Sequence, residues 1–304
     1  MLPNAFITGG SGLLGLNILL HRPECYQFTA LENKREIKLF NIKTTRTDLT
    51  NLKSIEDTLK FCKPKLIWHA AGMTNVDECE EYPSKAKSIN GVIPGNVAKV
   101  AHELGIKFVY ISTDQLFDGT KSFCGEGEDT NPVNEYGSSK ALGEQLVLKY
   151  NPQALIARCN FFGWGPSYKR SFSDFIFDNL SNGKSIRLAD DILYTPALAQ
   201  NLVSTIFDLV HRDASGIFNL VGSERLSKFE FGFKMAEIFG LQTSLINRVS
   251  WGSLKALAKR PADMSLCSGK LLDFLGYDLG KPDKNIKDLK KLIGTSLYSE
   301  VKKL

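Results

Sequence analysis

Residues 5–15, AFITGGSGLLG, are the stretch that decides the fold of this 304-residue chain. The apolar run before the glycines predicts a short buried strand, and the leucines after Gly12 have helical spacing. Glycines let the backbone turn tightly and approach a ligand closely. The first amides of a helix are unpaired and carry the positive end of its dipole, so a strand, a glycine turn and a helix in this order predict a pyrophosphate site. A bare tight turn is the alternative.

Outward from this stretch, apolar strands alternate with helical segments as far as residue 160. The predicted strands cover 5–8, 26–31, 65–69, 107–112 and 154–158, and the predicted helices cover 12–20, 52–62, 84–105 and 136–149. This alternation predicts an α/β fold with a doubly wound, Rossmann-like parallel sheet. Beyond residue 160 the regular alternation of strands and helices is lost. We therefore expect a dinucleotide-binding domain over 1–160 and a smaller, interleaved C-terminal substrate-binding lobe mainly over 161–304.

The composition excludes several classes of protein. Hydrophobic residues make up 43% of the chain and charged residues 23%, which are values of a globular protein rather than a disordered or fibrous one. No apolar run approaches the roughly 18 residues of a membrane span, and a net charge of +5 is too mild to indicate a nucleic-acid partner. The six cysteines form no CxxC pair and the four histidines are far apart, so we expect no metal site. Free thiols and the lack of a secretory signal favour the cytoplasm.

Two further segments have the positions needed to complete a dinucleotide site. Asp48 precedes the predicted helix at 52–62, and its carboxylate suits an adenine amino group, although it equally suits the N-cap of that helix. The small residues Ala70, Ala71 and Gly72 follow a predicted strand and would let the backbone lie along a cofactor. Small residues at a strand end are also common packing choices, so both interpretations stay open.

A third constellation joins a threonine, a tyrosine and a lysine. Tyr136 and Lys140 are four residues apart at the start of a predicted helix, so both side chains lie on one face. An ammonium beside a phenol lowers the pKa of the phenol, which predicts that the tyrosine exchanges a proton near neutral pH. Thr113 follows a predicted strand, where its hydroxyl meets the ligand crevice of a parallel sheet and can bond a substrate carbonyl.

These motifs carry a resemblance to a known family. They are TGGSGLLG at 8–15, HAAGMTNVDECE at 69–80 followed by Asn90, YISTDQLFDG at 110–119, NPVNEYGSSK at 131–140 and RPADMSL at 260–266. With these segments the chain resembles the extended short-chain dehydrogenase/reductase family, and within it the dTDP-4-dehydrorhamnose reductase group. The resemblance implies NAD(P)H-dependent reduction of a 4-keto group on a small-molecule substrate, a nucleotide-activated deoxysugar, and it allows a homodimer.

The resemblance also assigns roles to individual residues. It implies that the catalytic residues are Thr113, Tyr136 and Lys140. It implies a cofactor site made of Gly9, Gly12, Leu13, Leu14, Gly15, Lys34, Arg35, Asp48, Leu49, Ala70, Ala71, Gly72, Tyr136 and Lys140, and substrate contacts from Thr74, Asn75, Thr113, Asn160 and Arg260. Leu193 and Tyr194 stand where the group often has a glycine-containing run, so the identity of the sugar stays open.

Gln115 bears on the type of reaction. The resemblance implies that sugar 4,6-dehydratases of the family have Thr-Asp-Glu at this strand end, where the carboxylates act as acid and base in the elimination of water. Gln115 stands in the place of the glutamate, and its amide cannot remove a proton. A dehydratase is therefore disfavoured. Two alternatives remain, an epimerase of the same family and a non-catalytic protein similar to the regulatory subunit of methionine adenosyltransferase.

The residues after the second predicted strand bear on the choice of cofactor. An acidic residue there is typical of NAD sites, and a basic residue is typical of NADP sites. The chain has both, because Glu32 is followed by Lys34 and Arg35. A guanidinium can bind a phosphate through two parallel hydrogen bonds, and Glu32 would be free to rotate into solvent, so we expect NADPH with NADH tolerated. Solvated loop charges without a role are the alternative.

Overall fold

A seven-stranded sheet forms the centre of the protein. The computed structural model describes residues 2–32, 35–37, 39, 41–254 and 256–304. Its strands are β1 (Asn4–Thr8), β2 (Gln27–Glu32), β3 (Lys43–Arg46), β4 (Leu66–His69), β5 (Lys107–Ile111), β6 (Leu155–Cys159), β7 (Phe161–Phe162), β8 (Ile186–Ala189), β9 (Leu193–Tyr194), β10 (Ala197–Leu198), β11 (Gly216–Leu220), β12 (Leu226–Ser227) and β13 (Ile246–Val249).

Helices surround this sheet. They are α1 (Leu13–Leu20), α2 (Leu52–Cys62), α3 (Val76–Glu81), α4 (Pro83–Ala86), α5 (Ile93–Glu103), α6 (Glu135–Tyr150), α7 (Phe172–Ser181), α8 (Ala199–His211), α9 (Lys228–Phe239), α10 (Gly269–Leu275), α11 (Pro282–Lys291) and α12 (Ser296–Lys303). A π-helical turn, Lys87–Val92, lies between α4 and α5. Within the described residues, none of the helices has the length and apolar character needed to cross a membrane.

The strands of the central sheet run parallel in the order β11-β6-β5-β4-β1-β2-β3. The predicted fold, a doubly wound parallel sheet, is confirmed. β1 lies inside the sheet between β2 and β4, and its residues after Asn4 are buried, as expected for a strand covered on both faces. The strand order reverses at β1 and β4, and in such sheets the crevice outside the carboxyl ends at this point is where ligands bind.

Two apolar cores sandwich the sheet, and a third lies outside it. Successive side chains of a strand point to opposite faces, so Ala5 and Ile7 pack into one core while Phe6 packs into the other. The third core is built around residues such as Trp164 and Phe231, from the part of the chain after β6. The central sheet, covered by two cores, therefore lies next to a separately packed part of the chain. A groove between these two parts is where we look for a binding site.

The prediction of elements missed two strands of the sheet. β3 is a polar segment, KTTR, with little burial and no apolar alternation. β11 pairs with β6 although it lies beyond residue 160. The second part of the chain therefore completes the central sheet as well as forming its own core, and the division into 1–160 and 161–304 stays a prediction.

The helix predicted over 84–105 is interrupted by the π-helical turn. Pro94 has no N–H to donate to the carbonyl of Asn90, one turn earlier. The Tyr110 hydroxyl donates to that carbonyl instead, at 2.9 Å. The sheet thus supplies the hydrogen bond that the helix lacks, and the prediction of one continuous helix is wrong at this point.

The helix α2 has its predicted bounds but a different cap. The Asn51 side chain accepts a hydrogen bond from the Ser54 amide and is the N-cap. The Asp48 carboxylate accepts from the amide and the hydroxyl of Thr50 instead. The alternative in which Asp48 caps this helix is therefore wrong.

We predict that Gly143→Ala destabilises the protein. A Cβ at this helical position would lie 2.3 Å from the Asn90 carbonyl oxygen and 2.3 Å from the Tyr110 hydroxyl, both held in the core. Overpacking of this kind costs about 1–3 kcal/mol, whereas alanine in an open helix would stabilise by up to about 1 kcal/mol. Urea unfolding measures the difference.

The control is Gly127→Ala, where no atom lies within 4 Å of the added Cβ. That variant should unfold like the wild type. A Gly143→Ala protein as stable as the wild type would contradict the packing described here.

Candidate active site

A groove of about 1130 Å³ runs along the carboxyl edge of the sheet. The turns after β1, β2, β3, β4 and β5 form its floor, and residues 159–161 and 168–169 form part of its wall. The predicted site residues that line it are Gly9, Gly12, Leu13, Leu14, Gly15, Arg35, Asp48, Leu49, Ala70, Ala71, Gly72, Thr74, Thr113, Tyr136, Lys140 and Asn160. The structure therefore brings most of the predicted residues to one cavity.

The glycine turn after β1 has no room for side chains. Gly9 has a φ of +73°, and a Cβ there would lie 2.5 Å from the Ala71 nitrogen. A Cβ on Gly15 would lie 2.1 Å from the Gly9 carbonyl oxygen, so α1 packs directly on the turn. Gly12 precedes α1 and offers no side-chain cap, which leaves the first amides of the helix facing the groove. This cradle fits the pyrophosphate of a dinucleotide.

Asp48 lies at the end of the groove beyond the glycine turn. Hydrogen bonds from the hydroxyl and the amide of Thr50 hold the pKa of its carboxyl below the usual value. The group is therefore an ionised acceptor, as an adenine contact requires. That contact itself stays a prediction.

The corner of the groove at the carboxyl end of β2 holds Glu32 in a different position from the one expected. This side chain is only 8% exposed, and its Oε1 accepts a hydrogen bond from the Ile37 amide at 2.8 Å. Its Oε2 lies 3.7 Å from Nε of Arg46 at the end of β3. The expectation that Glu32 rotates into solvent is wrong, because the carboxylate is engaged inside the corner. Arg35 lines the groove here, and Lys34 lies outside the described residues.

Thr113, Tyr136 and Lys140 converge at the other end of the groove. Burial raises the pKa of Tyr136, and a hydrogen bond with the Thr113 side chain opposes that shift. Nζ of Lys140 donates to the Ile111 carbonyl oxygen at 2.6 Å and lies 4.0 Å from the centre of the Tyr110 ring. Desolvation is the largest influence on the pKa of Tyr136, and the expected effect of Lys140 on that pKa stays a prediction.

Burial also changes the charge state of Lys140 itself. Desolvation lowers its pKa to about 7, and the carboxylate of Glu144, one turn further along α6, acts in the opposite direction. Glu144 in turn accepts a bidentate pair of hydrogen bonds from Arg158, with distances of 3.0 and 2.8 Å, and both partners are buried. The lysine is therefore poised between its two charge states near neutral pH.

Asp114 forms a charged centre next to Thr113. Burial raises the pKa of Asp114 to about 6, against the effects of the Lys228 ammonium and of a hydrogen bond from Asn160. The Asn160 amide donates to its Oδ2 at 2.5 Å. Nζ of Lys228 lies 3.2 Å from the centre of the Tyr194 ring. The two parts of the chain thus face each other here through opposite charges.

Two residues expected to bind substrate lie away from the groove lining. The Asn75 side chain accepts from the amides of Asp77 and Glu78 and caps α3. The Arg260 guanidinium forms an ion pair with Asp77 at 3.1 Å. Local structure accounts for both side chains, and their substrate contacts stay predictions.

Among the residues in or next to the groove, the sequence analysis did not single out Arg46, Tyr168, Lys169 and Lys228. None belongs to a recognisable motif. Arg46 was detectable in principle, because it ends a strand that neighbours β2, but that strand has no apolar pattern. The other three come from the second part of the chain, whose approach to the groove is a matter of packing.

Comparison with known proteins shows what this chain is similar to. A family model described as RmlD substrate binding domain matches residues 4–291. A probable low-salt glycan biosynthesis reductase, Agl14, of Haloferax volcanii is 32% identical over 276 residues, covering 88% of this chain and 92% of the relative. The methionine adenosyltransferase 2 subunit beta of Xenopus laevis is 28% identical, covering 81% of this chain and 75% of the relative.

A solved structure shows the same fold. The crystal structure of dTDP-4-dehydrorhamnose reductase from Bacillus anthracis in complex with NADP superposes with a TM-score of 0.83, covering 96% of this chain and 99% of that chain. The two chains are 24% identical.

Proposed function

The chain belongs to the RmlD substrate binding domain family, and we propose that it is an NADPH-dependent oxidoreductase that reduces the 4-keto group of a nucleotide-activated deoxysugar. One observation carries the proposal. Thr113, Tyr136 and Lys140 meet in the same groove as the glycine cradle, so a proton donor lies within reach of a dinucleotide bound there. The similarity to a protein named as a glycan biosynthesis reductase supports it.

The chain's own residues manage the proton of this reaction. When bound, the reduced nicotinamide supplies a hydride to the keto carbon. The Thr113 hydroxyl orients the carbonyl oxygen, and Tyr136 gives its proton to that oxygen as the alkoxide charge develops, which completes the alcohol. Burial favours the protonated phenol, which is the form from which a proton donor must start. The Lys140 ammonium then stabilises the phenolate until solvent returns the proton.

The groove also supports the choice of cofactor. The amides after Gly12 suit the pyrophosphate, and Arg35 and Arg46 both line the corner expected for the adenosine ribose. Glu32 is engaged with the Ile37 amide, so it competes poorly for the ribose hydroxyls. Two guanidinium groups beside one engaged carboxylate favour a 2′-phosphate, and NADH should be tolerated.

A non-catalytic role is the second candidate. The similarity to a methionine adenosyltransferase subunit favours it, and a partner enzyme would then take the place of a sugar substrate. Co-purification of an adenosyltransferase, with no turnover of any 4-keto sugar nucleotide, would support that candidate. Location in the cytoplasm and assembly as a homodimer are part of our proposal, the first because the cysteines are free thiols and the second because of the family resemblance.

We predict that Tyr136→Phe abolishes most turnover. Removing a positioned proton donor costs a factor of about 100 to 10,000, while binding of NADPH should be unchanged because the ring remains. The measurement is a screen of 4-keto sugar nucleotides with NADPH, following absorbance of the reduced cofactor. Tyr277→Phe is the matched control, since its hydroxyl bonds Asp208 away from the groove. A fully active Tyr136→Phe enzyme would contradict the assignment of Tyr136 as the proton donor.

The activity should also fall as the pH rises above about 7. The folded pKa of Lys140 is lowered to about 7, so its ammonium is present below that pH and is lost above it. The profile of kcat/KM reports groups of the free enzyme, so its alkaline limb should follow this pKa. In Lys140→Arg the guanidinium stays charged to about pH 12. The fall of kcat/KM above about pH 7 should therefore disappear in this variant, whether or not its maximum rate is lower. An unchanged limb would rule out Lys140 as its origin.

Arg35→Ala should reduce the preference for NADPH over NADH. Charge-assisted hydrogen bonds to a phosphate are strong enough that their loss lowers kcat/KM for NADPH by about tenfold or more, and kcat/KM for NADH should change little. The ratio of the two values in wild type and variant is the measurement. A wild type that prefers NADH, or a ratio that Arg35→Ala leaves intact, would contradict the cofactor proposal.

A further inference from the structure

A short segment of the second part of the chain crosses the groove at its cofactor end. The Tyr168 hydroxyl donates to the carbonyl oxygen of Ser11, in the glycine turn, at 2.8 Å. Next to it, Nζ of Lys169 donates to Oγ1 of Thr74 at 3.2 Å. Both Tyr168 and Lys169 line the groove. This segment is therefore attached to the two loops that form the cofactor floor, after β1 and after β4.

The ring of Tyr168 carries the guanidinium of Arg35. Cζ of Arg35 lies 3.7 Å from the centre of the ring, the distance of a stacked cation–π contact. Stacking uses the face of a guanidinium and leaves its N–H edge available for a planar hydrogen-bonding partner. An arginine held in this way loses less side-chain entropy when it binds than one that moves freely.

The charges around this pair select for a phosphate group. Among the described residues that line this corner, Arg35 and Arg46 are cations, and the oxygens of the Glu32 carboxylate face the Ile37 amide and Arg46. The amides after Gly12 already serve the pyrophosphate. A second anionic group on the same ligand is therefore the partner that this corner fits, and a phosphate ester accepts two parallel bonds from a guanidinium.

We propose that Tyr168 is a positioning residue that orients Arg35 toward the 2′-phosphate of the cofactor, so that the second part of the chain sets the preference for NADPH. The proposal rests on the proposed dinucleotide site, but not on the sugar or on catalysis. The hydroxyl of Tyr168 fixes the ring on Ser11, and the ring fixes the guanidinium. The alternative is that the stacked Tyr168 and Arg35 side chains cover the adenine ring of the cofactor. NADH and NADPH share that ring, so this role would give no preference between them.

Binding of nucleotide fragments to the full-length protein separates these roles. Isothermal titration calorimetry compares adenosine 2′,5′-bisphosphate with AMP, two ligands that differ only in the 2′-phosphate. Arg35→Ala and Tyr168→Ala should each weaken binding of the bisphosphate by about tenfold, with less than about a twofold change for AMP. Tyr168→Phe keeps the ring and loses only the bond to Ser11, so a loss of about threefold is expected. Tyr277→Phe is the control and should match the wild type for both ligands.

Three outcomes would overturn the proposal. Equal losses for both ligands in Tyr168→Ala would mean that the stack holds the adenine. A large loss in Arg35→Ala with none in Tyr168→Ala would mean that the arginine needs no support from the ring. A wild type that binds the two ligands equally well would mean that the corner does not recognise the phosphate. Failure of the proposed function would be a different result, namely discrimination between the fragments with no turnover of any keto sugar.

Discussion

The close approach of backbone to backbone at the glycine turn is the constraint on which the rest of the site depends. Gly15 brings α1 against the carbonyl of Gly9, and Gly9 brings the turn against the backbone at Ala71, at distances that no Cβ allows. The amino end of α1 is thereby held at the sheet edge where the strand order reverses. The place of the anion cradle in the groove follows from that contact.

Burial is the second influence, and at the catalytic end of the groove it moves three pKa values in the direction that favours the neutral form. It raises the pKa of Tyr136 and of Asp114, and it lowers the pKa of Lys140. Fixed partners moderate these shifts, namely Thr113 for the tyrosine and Glu144 for the lysine. A proton donor that holds its proton at rest, next to a cation that is easily discharged, is an arrangement suited to one proton transfer per cycle.

The second part of the chain does more than enclose a substrate. It supplies β11 to the central sheet, it faces Asp114 with the Lys228 ammonium, and it places the Tyr168 ring beneath Arg35. In our proposal, cofactor recognition and substrate enclosure therefore share segments of the chain, and a change in the wall of the groove would alter the preference for both ligands.

The amino-acid sequence by itself determined the parallel fold, the bounds of α2, and the meeting of most predicted residues at one edge. Periodicity and glycine turns are local properties, and in a parallel sheet the carboxyl ends of the strands share an edge, so Thr113 and the glycine turn had to lie at the same edge of the sheet. Only the tertiary structure decided the engagement of Glu32, the sign of the Tyr136 shift and the stacking of Arg35 on Tyr168. The stacking depends on atoms remote in sequence, through the bond between Tyr168 and Ser11 across 157 positions, and desolvation sums over every neighbour that packing brings near. Glu32 bonds the nearby Ile37 amide, an interaction that no sequence pattern marks.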